Sequence, residues 1–347
     1  MNSKREFGLF LGYGSGFTYP AYRAIVQEAE RLGYSAVWVQ DNITGHHPIP
    51  RDIEILDTWT FLTALAANTS AIRVGSMATP ALRRFAPLLA KTTASLDVIS
   101  GGRVNIGLGS GDDAYQYEMI GQRFPESGKE RRQILRESIE VMRLLWTEDM
   151  ANFNGEHLQL RDAIMSPKPV QKPGPPIYIA CNTSRRLMPR MAATYGDGLG
   201  IMWGHDPTVA QTVQVFQEEW AAAGRDPAAY KALRSTFIIF TNDSDEEKAR
   251  QYASRVTTFP FDIRQTASPA KVPEGSDADM LVIGSPAHVA EELERRVFDI
   301  GFNQLMTTFV VCEDMKPETD GLKGWAGSYL AGLRLLADQV LPSLRRA

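Results

Sequence analysis

Three short stretches hold the residues best able to do chemistry. "QDN" sets Asp41 beside Asn42, "GSGDD" sets Asp112 and Asp113 behind Gly109, Ser110 and Gly111, and "CNTS" sets Cys181 before Asn182, Thr183 and Ser184. A carboxylate can move a proton, whereas an amide such as Asn42 can only donate and accept hydrogen bonds near neutral pH. Glycines let backbone N–H groups approach a phosphate or a flat ring with no side chain between, although the same glycines also serve an ordinary strand-to-helix turn. "CNTS" runs into Arg185 and Arg186, so hydroxyls, free N–H groups and positive charge meet at a helix start. That composition suits a phosphate seat, and equally an N-cap with two solvated arginines.

Other signals are weaker. His46 and His47 are adjacent, so their side chains diverge, and no carboxylate stands at zinc-protease spacing; a surface loop is the competing reading. Cys181 lacks a motif that would supply its base, which favours a small cavity-lining residue over a nucleophile. "GLGSGD" lacks the third glycine of a dinucleotide fingerprint, and there is no "GxxxxGK" phosphate loop.

The elements that must position these residues follow from periodicity. Eight short, nearly continuous apolar runs read as strands covered on both faces: residues 7–11, 36–40, 73–77, 104–108, 177–180, 198–202, 236–240 and 304–311. Between them lie segments of helical period, such as the one from Pro20 to Gly33, and one starting at an Asp57 cap. "KERRQILRESIEVMRLLW" aligns Ile134, Leu135, Ile139, Met142 and Leu145 on one stripe. Further helices are predicted over 185–194, 207–223, 245–255 and 286–299, and the C-terminal stretch reads as an amphipathic helix. Alternating strands and helices mean a parallel sheet, and eight strands favour a closed (β/α)8 TIM barrel over an open doubly wound sheet. The chain is read as one such domain over 1–347, with insertions at about 147–175 and 257–284, of the kind that form lids or binding loops. In a barrel the chemistry collects at the carboxyl ends of the strands, which is where all three stretches fall.

Composition bounds the partners. With 44% hydrophobic and 22% charged residues the chain has material for a sizeable core, and its net charge of −4 offers no basic stripe for nucleic acid. Two cysteines make no disulfide framework, and no apolar run approaches the length of a membrane span. A cytoplasmic enzyme acting on a small molecule, with neither nucleic acid nor membrane as partner, is the expectation.

Five segments in order, "EAERLGYSAVWVQDN", "VGSMATP" with "AKTTASLDVISGGRVNIGLGSGD", "KERRQILRESIEVMRLLW", "GPPIYIACNTSRRLMPRMAATYGDGLGIMW" and "IGSPAHVAEELE", resemble the bacterial luciferase-like flavin and deazaflavin oxidoreductases. The resemblance implies a barrel holding an isoalloxazine-type ring in its mouth. It implies a bulged third strand with a non-proline cis peptide at Ser76–Met77 behind the ring. Gly109, Ser110 and Gly111, and Cys181 to Ser184, would cradle the cofactor. The "GSGD" turn and the long polar insertion are more similar to the coenzyme F-420 hydride-transfer branch than to the oxygen-using luciferases, with FMN as the alternative cofactor. Where the sugar-phosphate dehydrogenases of the family carry a catalytic His, this chain has Asn42, which puts alcohol oxidation in doubt. Asp112 would then donate a proton if burial raised its pKa, and Asp41 would orient Asn42 or the ring. Tyr13, His46, Tyr115 and Trp203 are the candidate substrate contacts, and family analogy implies a homodimer.

Overall fold

Burial along the strands alternates between two apolar populations, and that alternation builds the architecture. In a computed structural model that describes residues 4–12, 17–44, 54–181, 186–202, 204, 206–257, 281–315 and 318–345, one set of side chains faces surrounding helices and the other fills a barrel interior. In chain order the strands and helices are β1 (Glu6–Leu11), α1 (Tyr19–Arg31), β2 (Ala36–Val39), α2 (Thr58–Ala67), β3 (Arg73–Pro80), α3 (Ala86–Ser100) and β4 (Val104–Gly109). Next come α4 (Tyr115–Glu118), α5 (Gly128–Thr147), β5 (Ala151–Asn154), β6 (Gln159–Ala163), β7 (Ile177–Ala180), α6 (Leu187–Tyr195) and β8 (Gly198–Ile201). The chain ends with α7 (Asp206–Ala222), β9 (Ala232–Phe240), α8 (Glu246–Val256), β10 (Leu281–Gly284), α9 (Pro286–Leu293), β11 (Gln304–Val311), α10 (Gly324–Leu335) and α11 (Leu341–Leu344).

The parallel sheet closes in the order β11-β1-β2-β3-β4-β7-β8-β9, with β9 returning to β11. All eight predicted strands are present and form the predicted (β/α)8 barrel. A ninth, β10, escaped prediction because it is short and lies at the end of the second insertion. It pairs with the last four residues of β9, Leu281 opposite Phe237 through Gly284 opposite Phe240, whereas β8 pairs with residues 232–234. One long strand thus serves two short neighbours along a single edge.

Local chemistry explains the element ends. Asp57 caps α2 as predicted, accepting from the Thr60 N–H at 3.0 Å. Helix α3 stops at Gly101, whose φ of 68° is the left-handed conformation that glycine adopts freely. The predicted stripe on α5 is buried at Leu135, Ile139, Met142 and Leu145, with Ile134 at its edge. The C-terminal helix differs from the amphipathic reading: residues 325–333 of α10 are buried all round, because α10 lies against β11 and α1.

The first insertion forms an antiparallel hairpin of β5 and β6. It is fastened away from the strand ends that hold the site. Glu137 of α5 accepts from the backbone N–H groups of Glu156, His157 and Leu158 at 2.8–3.0 Å. Gln171 bonds Asp97 and the Val104 carbonyl at the start of β4. Those anchors lie beside α3 and at the amino end of the barrel, so this insertion is no lid over the mouth. Most of the second insertion, residues 258–280, lies outside the described residues.

Candidate active site

The barrel interior is plugged below its mouth. Phe10, Trp38, Met77, Tyr178, Leu233 and Met306 pack together on the inner face. Met77 reaches across from β3: a Cβ placed on Gly200 would lie 2.6 Å from its Cε, and one placed on Gly107 only 3.1 Å from it. Glycine at both positions leaves the room this side chain occupies. Above the plug, Ala78, Gly109 and Ala180 are only partly buried and lie side by side, since a Cβ on Gly109 would be 3.8 Å from the Ala78 Cβ and 3.7 Å from the Ala180 Cβ. Three neighbouring strands therefore end in a shelf of small residues.

The bulge in β3 lies where predicted, with the pairing to β4 shifting register between Ser76 and Thr79. The cis bond is one residue later than expected, at Met77–Ala78 rather than Ser76–Met77. Ser76 is fully buried and its hydroxyl donates to the Gly107 carbonyl at 3.1 Å, so its side chain clasps β3 to β4. Met77 is also fully buried, and the residue that the bulge presents at the mouth is Ala78. Cys181 needs the same correction. On β7 the side chains of Ile177, Ile179 and Cys181 belong to the helix-facing core, while Tyr178 and Ala180 face inward, so period two puts Ala180 at the mouth and Cys181 behind it.

Gly109, Ser110 and Gly111 are half-buried at the rim as the turn requires. Gly111 has φ of 77°, and a Cβ there would lie 2.4 Å from the Tyr117 hydroxyl, so only glycine fits. Burial pushes the Tyr117 phenol above its ordinary pKa, and its oxygen has no hydrogen-bond partner. Asp112 is exposed, so the burial on which its proton-donor role depended is absent. Tyr115 is also exposed, on the first turn of α4. Tyr13, His46, Asn182, Thr183, Ser184 and Trp203 lie outside the described residues.

The polar side of the mouth joins Asp41 and Asn42 to three residues that sequence reasoning passed over, Arg83, Arg84 and Gln116. Asp41, 1% exposed, receives Arg84 through two hydrogen bonds of 3.0 and 2.7 Å, and Arg83 donates both to its carboxylate at 3.3 Å and to its backbone carbonyl. Arg84 also reaches Asp57 at 2.6 Å. Burial opposes the charge on Arg84, but hydrogen bonds to Asp41 and then Asp57 outweigh it and raise its pKa. Burial likewise works to raise the Asp57 pKa, and the Thr60 N–H and Arg84 overcome it. Asp41 thus ties the β2 end to the loop after β3.

Gln116, also 1% exposed, joins three loops. Its Oε1 accepts from the Ile43 N–H at 2.9 Å and from Arg83 at 3.0 Å, while its Nε2 donates to Asp113 at 2.9 Å and to the Asn42 Oδ1 at 3.4 Å. The Asn42 Nδ2 is buried without a partner. Asn42 borders a small pocket of about 30 Å³ between the ends of β1 and β2, lined also by Gly12, Gln40, Glu54, Leu56 and Phe61. No single motif signals this hub. Arginine pairs usually read as solvated surface, and their carboxylate partners lie 27 to 43 residues away.

A small-residue shelf at three strand ends suits a flat heterocycle, and the orphaned Asn42 amide at the end of β2 suits an acceptor oxygen. Among the described residues no cluster of three His, Cys, Asp or Glu could hold a metal, and no helix is long and apolar enough to cross a membrane. Barrel, bulge and mouth together define the class, and the chain belongs to the luciferase-like monooxygenase family, whose model matches residues 5–304. It is 28% identical over 345 residues to an F420-dependent glucose-6-phosphate dehydrogenase of Amycolatopsis mediterranei, covering 91% of this chain and 92% of that one. An F420-dependent secondary alcohol dehydrogenase in complex with an F420-acetone adduct shares the fold with a TM-score of 0.78 at 19% identity, covering 98% of this chain and 99% of that one. The monooxygenase RslO1 from Streptomyces bottropensis does so with a TM-score of 0.78 at 21% identity and the same coverage.

Proposed function

We propose that this chain is a coenzyme F-420-dependent oxidoreductase that transfers a hydride between the deazaflavin and a small organic substrate at the barrel mouth. The observation that carries the reading is the shelf of Ala78, Gly109 and Ala180 over the Met77 plug at the ends of β3, β4 and β7. Likeness over nine-tenths of its length to an F420-dependent dehydrogenase supports the choice of cofactor.

When bound, the deazaflavin supplies a hydride and reacts poorly with oxygen. The chain's own residues hold and orient. Ala78, Gly109 and Ala180 give the ring a floor, and the rim at Ser110 and Gly111 offers backbone N–H groups to the polar tail. Asn42 donates a hydrogen bond but cannot exchange a proton, so position 42 serves polarisation of an acceptor rather than removal of an alcohol proton. Asp41 is a positioning residue, its carboxylate taken up by Arg83 and Arg84. Reduction of an activated C=C or C=N bond fits this donor set better than alcohol oxidation does.

A second reading, an FMN-dependent monooxygenase, is favoured by the family's name and by the structural likeness to RslO1. Oxygen uptake separates the two. Anaerobic turnover of reduced F-420 with an activated alkene is expected, and stoichiometric oxygen uptake with reduced FMN would defeat the proposal. A barrel that binds a pigment without turning over any acceptor is the third possibility that the same assay tests. The cytoplasm is the proposed location, which the two buried cysteines, not joined in a disulfide, support. A second copy of the chain is the proposed macromolecular partner. Helix α3 exposes Leu88, Val98 and Ile99 along one face, and exposed Ile164 and Val170 flank the Ser166 carbonyl, which accepts from Lys91 of that helix.

A further inference from the structure

We infer that Gln116 fixes which end of the Asn42 amide faces the site, making Asn42 a dedicated hydrogen-bond donor to a neutral carbonyl oxygen on the bound molecule. The inference rests on the reading that the mouth binds a ring and its substrate. The two ends of an amide look alike in shape, so its polarity is set by its neighbours. At Gln116 the neighbours leave no choice. The Ile43 N–H and the Arg83 guanidinium are donors only, and both meet Oε1, at 2.9 and 3.0 Å. The opposite end must be the NH2 group, and Asp113, 2.9 Å from it, accepts one proton. The second proton points at Asn42, which therefore turns its oxygen inward and its Nδ2 away.

That Nδ2 is buried, has no acceptor in the protein, and belongs to a residue lining the pocket between the ends of β1 and β2. A buried amide N–H without an acceptor is unfavourable, so an acceptor brought by a ligand is rewarded there. Local charge selects its kind. Among the described residues, Asp41, Asp57 and Asp113 outnumber Arg83 and Arg84 around this hub, and Glu54 lines the pocket wall. A carboxylate or phosphate would meet net negative charge, whereas a ketone, amide or ring carbonyl would not. The carbonyl can belong to the cofactor ring or to the substrate.

The test uses the full chain and two variants. Asn42→Asp replaces the donor with an acceptor, and the double variant Gln116→Glu, Asp113→Asn lets position 116 accept from Asn42 while keeping the carboxylate count. Each is titrated with oxidised F-420 and with FMN by fluorescence, and turned over with cyclohex-2-en-1-one, while infrared difference spectra follow the carbonyl stretch of the bound molecule. A rise of about tenfold in the F-420 dissociation constant in both variants, with a carbonyl stretch moved to higher frequency, supports the inference with the ring as acceptor. A comparable rise in KM for the enone, with kcat and pigment affinity kept, supports it with the substrate as acceptor. Unchanged binding, KM and carbonyl stretch in variants that melt like the wild type overturns it and leaves the proposed function standing. A wild-type chain that binds neither pigment overturns the proposed function, and this inference with it.

Discussion

The shelf at the barrel mouth consists of three residues that carry almost no side chain, and each can be tested alone. Gly109→Ala is expected to be tolerated, because its added Cβ meets neighbours only at ordinary van der Waals distance. Gly109→Leu should project across the shelf and lower F-420 affinity by at least about tenfold with an unchanged melting temperature, as read by fluorescence titration beside a thermal melt. Asp41→Ala makes the opposite forecast. It leaves the Arg83 guanidinium, only 4% exposed, with no carboxylate beside its charge, so a loss of about 3–5 kcal/mol in denaturant unfolding is expected. A normal unfolding midpoint in that variant would mean that Asp41 does not hold the mouth together. At this scale the sequence located the site to within one residue and no better. The apolar runs placed the end of β7 correctly and stopped β3 three residues short of Pro80, a bulge advances the phase of β3, and after β7 the choice between Ala180 and Cys181 depends on which face turns inward. Neither fact is written in hydropathy when strands are buried on both sides.

Among the elements, the barrel strands and the capped helices were legible because each carries its own local signal: a continuous apolar run, Asp57 before α2, Gly33 after α1. What escaped notice depends on contacts distant in sequence. β10 has only four residues and exists because β9 outruns β8. The hairpin of β5 and β6 turns only Ala151, Phe153, Leu160 and Ala163 to the core, and is fastened by Glu137, a buried carboxylate in the middle of α5. Burial by itself would raise the Glu137 pKa; hydrogen bonds from the His157 N–H, Gln133 and the Leu158 and Glu156 N–H groups outweigh it and hold the carboxyl below its usual value of 4.5. A depressed folded-state pKa contributes stability that is present above pH 4.5 and lost as the pH falls below it. Glu137→Gln should therefore cost about 1.5–3 kcal/mol near neutral pH and flatten the acid limb of the stability curve, measured by urea unfolding as a function of pH. An acid limb as steep as the wild type's would show that the hairpin is anchored by other groups.

For the molecule as a whole, two properties follow from how its surfaces are arranged. Glu28 is held down to about 2 by Arg31, against burial, and by Arg334 of α10, so the contact between α1 and the C-terminal helix shares the acid sensitivity of Glu137 and weakens as the pH drops from 4.5 toward 2. The exposed apolar face of α3 forecasts self-association: light scattering behind size exclusion should report a dimer, and Leu88→Asp with Ile99→Asp should convert it to a folded monomer. A wild-type monomer at high micromolar concentration would remove that face from consideration. The central claim is that the mouth was shaped for a deazaflavin. Its most direct measurement is a parallel fluorescence titration of the purified chain with oxidised coenzyme F-420 and with FMN. Saturable F-420 binding in the micromolar range or tighter, with FMN clearly weaker, is the predicted result; preference for FMN, or no binding of either, would contradict the account.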